Sequence, residues 1–218
     1  MTPDDVLKGL YDETMVGNAP AVLELTNKGL EIGMTPETIL FDALIPSLEE
    51  VGARFERGDY FVPEMLIAGR AMSGALDVLR PLLAQTGVES VGTFLMGTVK
   101  GDVHDIGKNL VNIMLEGAGF QVIDIGVQVP PEKFIAAIEE HNPDIVGMSA
   151  FLTTTMPMFK ANINAIEKAG LRDKVIIMVG GAPVTQEDAD VCGADGYAAD
   201  AATAVRRAKE LIATKRAG

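Results

Sequence analysis

Two periodicities divide the chain. From Thr2 to about residue 85, apolar residues return every three or four positions, the spacing that turns one face of a helix toward a core. "TPDDVLKGLYDETMVG" opens on a threonine cap, with proline at the first helical position and acids in the first turn. "NAPAVLELTNKGLEIG" starts at Asn18 and stops at Gly33. "TPETILFDALIPSLEEVGARFERG" repeats the Thr-Pro-Glu opening and ends at Gly58, and "FVPEMLIAGRAMSGALDVLRPLLAQTG" closes on Gly87. No convincing strand lies in residues 3–85. Four amphipathic helices with short connections predict an antiparallel bundle. "QTGVES", residues 85–90, reads as a short polar linker.

From Ser90 short apolar runs alternate with helical patterns. The runs are "SVGTFLMGTV", "QVIDIGVQV", "DIVGMSAF", "KVIIMVGG" and "GYAA"; between them lie "IGKNLVNIMLEGAG", "PEKFIAAIEEHN", "MPMFKANINAIEKAG" and "TQEDADVCGA", and a last helix spans 200–215. Near-continuous apolar strands separated by helices predict a parallel sheet covered on both faces. Five such units predict an α/β domain of flavodoxin-like order over residues 88–218, preceded by a four-helix bundle over 1–87. Ligands of such sheets bind beyond the carboxyl ends of the strands. Gly101–Gly107 follows the first strand, Ser149–Thr155 the third and Gly180–Gly181 the fourth. Three loops of small residues on one rim predict a single site.

Composition narrows the classes. Hydrophobic content of 48 % supports a real core, and a net charge of −13 argues against nucleic acid as a direct partner. The basic stretch "VRRAKELIATKR" alternates with apolar residues and reads as the solvated face of the final helix. The single cysteine, Cys192, excludes an internal disulfide and a paired-cysteine zinc site, and reads as a small buried apolar residue. The opening residues lack a basic segment before an apolar one, and no apolar run approaches the ~20 residues of a spanning helix. A cytoplasmic protein with no membrane partner is the expectation.

Candidate chemistry concentrates in "TVKGDVHDIGKN", residues 98–109. Its glycine spacing matches neither common phosphate-binding loop. Asp102 and Asp105 superficially suit a phosphorylation site, but Gly180, Gly181 and Ala182 stand where a lysine should follow the fourth strand. His104 is open to three roles: metal ligand, general base or hydrogen-bonding loop residue. Asp102, two residues earlier, projects the same way in extended backbone, and a carboxylate on one ring nitrogen raises the basicity of the other. No further His or Cys lies nearby, and the other histidine, His141, reads as a surface residue ending a helix. One protein ligand makes no zinc site. It can supply one axial ligand to a metal whose other positions a macrocycle fills.

The D-x-H-x-x-G of Asp102, His104 and Gly107, followed by "MSAFLTTT" and "VGG", resembles the corrinoid-binding domain shared by cobalamin-dependent methionine synthase and the corrinoid proteins of methyltransferase systems. The resemblance covers nearly the whole chain. It implies cobalamin or a related corrinoid bound base-off, with His104 on cobalt in place of the cofactor's own base. It implies a site lined by Gly101, Asp102, Val103, His104, Asp105, Ile106, Gly107, Ser149, Thr153, Gly180, Gly181 and Ala201, with Thr155 continuing the His104–Asp102 relay. By position relative to "GDYFVPEM", Phe55 and Val62 resemble the helical cap's two apolar contacts above the methyl group; bundle core is the alternative. Phe151 departs from the family's leucine, which puts in doubt the packing under the nucleotide tail.

The function implied is a methyl carrier cycling between cobalt(I) and methylcobalt(III). Its expected partners are a substrate-specific methyltransferase, a second methyltransferase with a folate or thiol acceptor, and a reductive activase. The carrier subunit contributes the cofactor chemistry of a one-carbon transferase complex, and the methyl donor is left open. Rival readings are a cobalamin-binding sensor and a cobalamin-dependent mutase subunit.

Overall fold

The computed structural model describes residues 1–86 and 90–217. Of the expected linker at 85–90, residues 87–89 lie outside the described residues. The chain forms two compact units, Met1–Glu89 with Glu116–Gly119, and Ser90–Leu115 with Phe120–Gly218.

The first unit is helical, as its 3.6-residue period requires. α1 (Pro3–Met15) starts on Thr2, whose hydroxyl accepts from the Asp5 amide while the Asp5 carboxylate accepts from the Thr2 amide. α2 (Ala19–Glu31) begins after Asn18, although that side chain does not cap; it donates to Glu13 instead. The third amphipathic stretch is not one uniform helix. It runs as α3 (Pro36–Ile39), a π turn (Leu40–Leu44) and α4 (Ile45–Arg57). Pro46 sits just beyond the wide turn and would crowd the carbonyl four residues back in a regular helix, so the widened turn makes room for its ring. α5 (Val62–Thr86) packs on α2 and α4, and α1 packs on the same two helices. Val22, Ile39, Leu44, Met65, Met72 and Leu79 are fully or almost fully buried between them.

The second unit is a five-stranded parallel sheet of order β2-β1-β3-β4-β5, the flavodoxin-like order. Its strands are β1 (Thr93–Thr98), β2 (Gln121–Asp124), β3 (Ile145–Ser149), β4 (Ile176–Gly180) and β5 (Gly196–Ala198). The connecting helices are α6 (Ile106–Gly117), α7 (Pro131–His141), α8 (Pro157–Lys168) and α9 (Gln186–Cys192), and α10 (Ala201–Ala217) follows β5. Alternate strand residues enter opposite faces. Leu95, Val146, Met148, Ile177 and Val179 join Phe134 of α7 and Phe159 and Ile163 of α8 in one core. Phe94, Met96, Ile145, Ile176 and Met178 are buried as well, which gives the near-continuous apolar runs read in the sequence. Gly147 allows this packing, since a Cβ there would lie 2.4 Å from Phe94 Cε1. Cys192 is buried, and burial pushes its thiol pKa up.

β2 stops at Asp124, earlier than its apolar run predicts, because Gly126 and Gln128 take positive φ and turn the chain along the rim. Asp124 instead anchors α6. Its Oδ2 receives the ammonium of Lys108, which is 3 % exposed, and the Asn112 amide at 3.0 Å. Its Oδ1 accepts the Gly126 amide at 2.8 Å. Asp124→Ala leaves a buried ammonium without its counter-charge. Because Asp124 is partly exposed, the expected loss is roughly 2 kcal/mol, less than a fully buried pair loses when broken. The urea midpoint of the apo-protein reads it, and an unmoved midpoint contradicts the assignment.

A histidine held by a buried carboxylate at the sheet rim

After β1 the chain makes a turn at Gly101 and continues without regular structure to Asp105 before α6 begins. The loop is fixed through its main chain. The Thr98 hydroxyl donates to the His104 carbonyl at 3.0 Å, the Gln128 amide to the Asp102 carbonyl at 3.0 Å, and the Asp102 amide to the Val99 carbonyl at 3.1 Å. Asp102 is fully buried, whereas Val103, His104, Asp105, Ile106 and Gly107 face solvent.

The buried carboxylate is saturated with donors. Its Oδ1 accepts from the His104 amide at 3.0 Å and lies 2.9 Å from His104 Nδ1. Its Oδ2 accepts from the amides of Phe151 at 2.7 Å and Leu152 at 3.1 Å. Thr155 Oγ1 lies 2.9 Å from the same Oδ2 and 2.8 Å from the Leu152 carbonyl oxygen; its one proton goes to the charged acceptor, the stronger of the two. Burial alone would raise the Asp102 pKa. The amides of His104 and Phe151, with the His104 ring and the Thr155 hydroxyl, outweigh it and hold the group well below the usual carboxylate range.

A carboxylate with no proton to give fixes the tautomer of its partner. His104 must donate from Nδ1, which leaves the lone pair on Nε2 available on a side chain 44 % exposed. The expected Thr155–Asp102–His104 relay is therefore assembled from loops that follow two different strands. Phe151 closes the arrangement by stacking on the imidazole, with centroids 4.3 Å apart and planes inclined by 28°.

The other expected residues fall around this core. Ser149 ends β3 in register with Thr98 of β1 and Gly180 of β4. Gly181 has φ +142° and its Cβ would lie 1.8 Å from the Ala150 carbonyl oxygen, so only glycine fits there. Thr153 is exposed in the loop after β3. Ala201 opens α10 but is buried, 4 % exposed, and offers the rim little surface. Phe55, in the last turn of α4, and Val62, the first residue of α5, belong to the helical unit and are each partly buried.

Two rim residues escaped the sequence reading, Leu152 after β3 and Val127 after β2. Both are exposed large apolar side chains, as are Phe151 and, after β1, Val103 and Ile106. Exposed apolar residues on a rim that also carries the histidine were the available signal, but only the fold brings the loops together.

Residues 92–206 match a family model described as B12 binding domain, and residues 6–80 match a second model of the same description. A dimethylamine corrinoid protein of Methanosarcina barkeri is 43 % identical over 214 residues, 98 % of this chain and 100 % of its own. This chain belongs to the corrinoid proteins of methyltransferase systems. A corrinoid protein of Desulfitobacterium hafniense is 38 % identical over 212 residues, 96 % of each chain. A chain of the methanol:cobalamin methyltransferase complex of Methanosarcina barkeri superposes with a TM-score of 0.85 at 29 % identity, covering 96 % of this chain and 80 % of that one. The rim fits a corrinoid. Nε2 of His104 is a single presented donor, the apolar side chains suit the face of a macrocycle, and a Cβ on Gly107 would meet nothing within 4 Å. Among the described residues no group of three or more His, Cys, Asp or Glu could hold a bare metal ion, and no helix is long and apolar enough to cross a membrane.

Asp102 also links the site to acid stability. Its folded-state pKa lies below the unfolded value near 3.9, so its contribution is present above that value and lost as pH falls through the folded one. Asp102→Asn should cost about 2–4 kcal/mol at pH 7, because one carbonyl oxygen replaces two charged acceptors. It should also flatten the decline in stability below about pH 4. Denaturation midpoints across that range check both; a variant with the wild-type profile contradicts the assignment.

Proposed function

We propose that this corrinoid protein carries methyl groups between two methyltransferases, with its corrinoid bound base-off and His104 as the lower axial ligand. The observation that carries the reading is the half-exposed imidazole whose Nδ1 is committed to a buried carboxylate, leaving Nε2 as its one coordinating atom. When bound, the corrin's cobalt supplies a nucleophile for the donor's methyl group and a leaving group for its release. The protein's residues orient and tune. Asp102 fixes the tautomer and leaves Nε2 as the coordinating atom, and Thr155 holds Asp102. Gly101, Val103, Asp105, Ile106, Gly107, Ser149, Thr153, Gly180 and Gly181 form the seat and the slot for the displaced nucleotide tail, with Ala201 buried behind them.

Residues 1–87 act in this reading as a cap whose Phe55 and Val62 shield the methyl group from water, and residues 88–218 hold the cofactor. The relatives named dimethylamine corrinoid proteins support a methylamine as donor, dimethylamine first, presented by its own methyltransferase. A thiol or folate methyltransferase receives the group, and a reductive activase restores the cobalt when it oxidises. All of this is cytoplasmic chemistry.

Reconstitution with methylcobalamin tests the ligand. His104→Gly should still bind the corrinoid, should give a base-off spectrum, and should lower methyl transfer with a dimethylamine methyltransferase at least tenfold, about 1.4 kcal/mol of barrier. An unchanged spectrum in the methylated state removes His104 from the metal.

A further inference from the structure

We propose that Phe151 is a positioning residue for the axial ligand: its stack against His104 fixes the rotation of the imidazole and thereby favours the ligated state. This rests on the reading of His104 as the cobalt ligand. A single hydrogen bond from Nδ1 to Asp102 pins one atom of the ring but leaves a soft torsion, because the terminal torsion of histidine has broad wells. The direction of the Nε2 lone pair swings with that torsion. A flat neighbour 4.3 Å away and 28° from parallel restricts it.

Phe151 is well placed to act as that neighbour, being anchored by the same carboxylate. Its amide donates to Asp102 Oδ2 at 2.7 Å, so Asp102 fixes both the backbone of the stacking residue and the ring it stacks on. Core burial does not explain the aromatic side chain, since Phe151 is 50 % exposed. A leucine here could pack against a ring but would present no flat face. A ring ordered beforehand loses less freedom when Nε2 binds the metal, so the ligated state gains.

The experiment compares wild type, Phe151→Leu and Phe151→Tyr, reconstituted with cobalamin, at one fixed pH. The ratio of histidine-on to histidine-off corrinoid is read from the visible spectrum. Phe151→Leu should lower that ratio roughly three- to tenfold, the span of one aromatic contact, and Phe151→Tyr should stay within about twofold of wild type. Both changes keep the main-chain amide that Asp102 needs.

A second readout needs no corrinoid. Proton NMR of the apo-protein should show the His104 ring protons displaced upfield by the Phe151 ring current. The displacement should be lost in Phe151→Leu and retained in Phe151→Tyr. Equal ratios in wild type and Phe151→Leu overturn the proposal, as do His104 resonances that Phe151→Leu leaves unmoved. A wild-type protein with no histidine-on spectrum sinks the ligation reading instead, and the apo resonances still decide whether Phe151 orders the ring.

Discussion

The buried carboxylate of Asp102 is the constraint around which the sheet rim is organised. A charge fully removed from water persists only when its oxygens are met by donors, and here they come from three places. The His104 amide and ring approach one oxygen, the Phe151 and Leu152 amides and the Thr155 hydroxyl the other. Satisfying the charge therefore ties the loop after β1 to the loop after β3. The same bonds keep the group ionised, force histidine to donate from Nδ1 and present Nε2 outward. In the proposed reading stability and function share one set of contacts, so a change at Asp102 disturbs both.

The sheet makes that geometry repeatable. β1 and β3 are neighbours in register, Thr98 beside Ser149, which puts the two loops side by side at the strand ends. Gly181 then brings the end of β4 against the Ala150 carbonyl, closer than any side chain would permit. Lys108 and Asp124 hold the first turn of α6 to the end of β2, just beyond the histidine loop. The chemistry assigned to the cofactor needs little more from the protein than a fixed ligand, a seat and a shield.

Much of this was legible in the sequence because it is written in local patterns. The Thr-Pro openings, the glycine stops and the alternation of apolar runs with amphipathic stretches determine the elements, and five strand–helix units in succession point to the flavodoxin-like order. Asp102 and His104 could be paired because they stand only two residues apart in the chain. Contacts between distant segments were not legible. Nothing around Phe151 announces that its ring meets an imidazole 47 positions earlier, and Lys108 finds a partner 16 residues away on another element. The π turn at Leu40–Leu44 was hidden because apolar residues keep helical spacing through it, with Pro46 as the only mark. Thr155, by contrast, was placed through the family resemblance, since a threonine 53 residues from Asp102 carries no local signal.

The central claim, that a single protein imidazole replaces the cofactor's own base on cobalt, is tested most directly by electron paramagnetic resonance of the cobalt(II) form. The protein is produced with ¹⁵N-histidine and loaded with unlabelled cobalamin. Coordination by His104 predicts that each cobalt line, split into three by an axial ¹⁴N in unlabelled protein, is split into two in the labelled one. A threefold splitting that persists in the labelled protein shows the cofactor's own base still bound and contradicts the account.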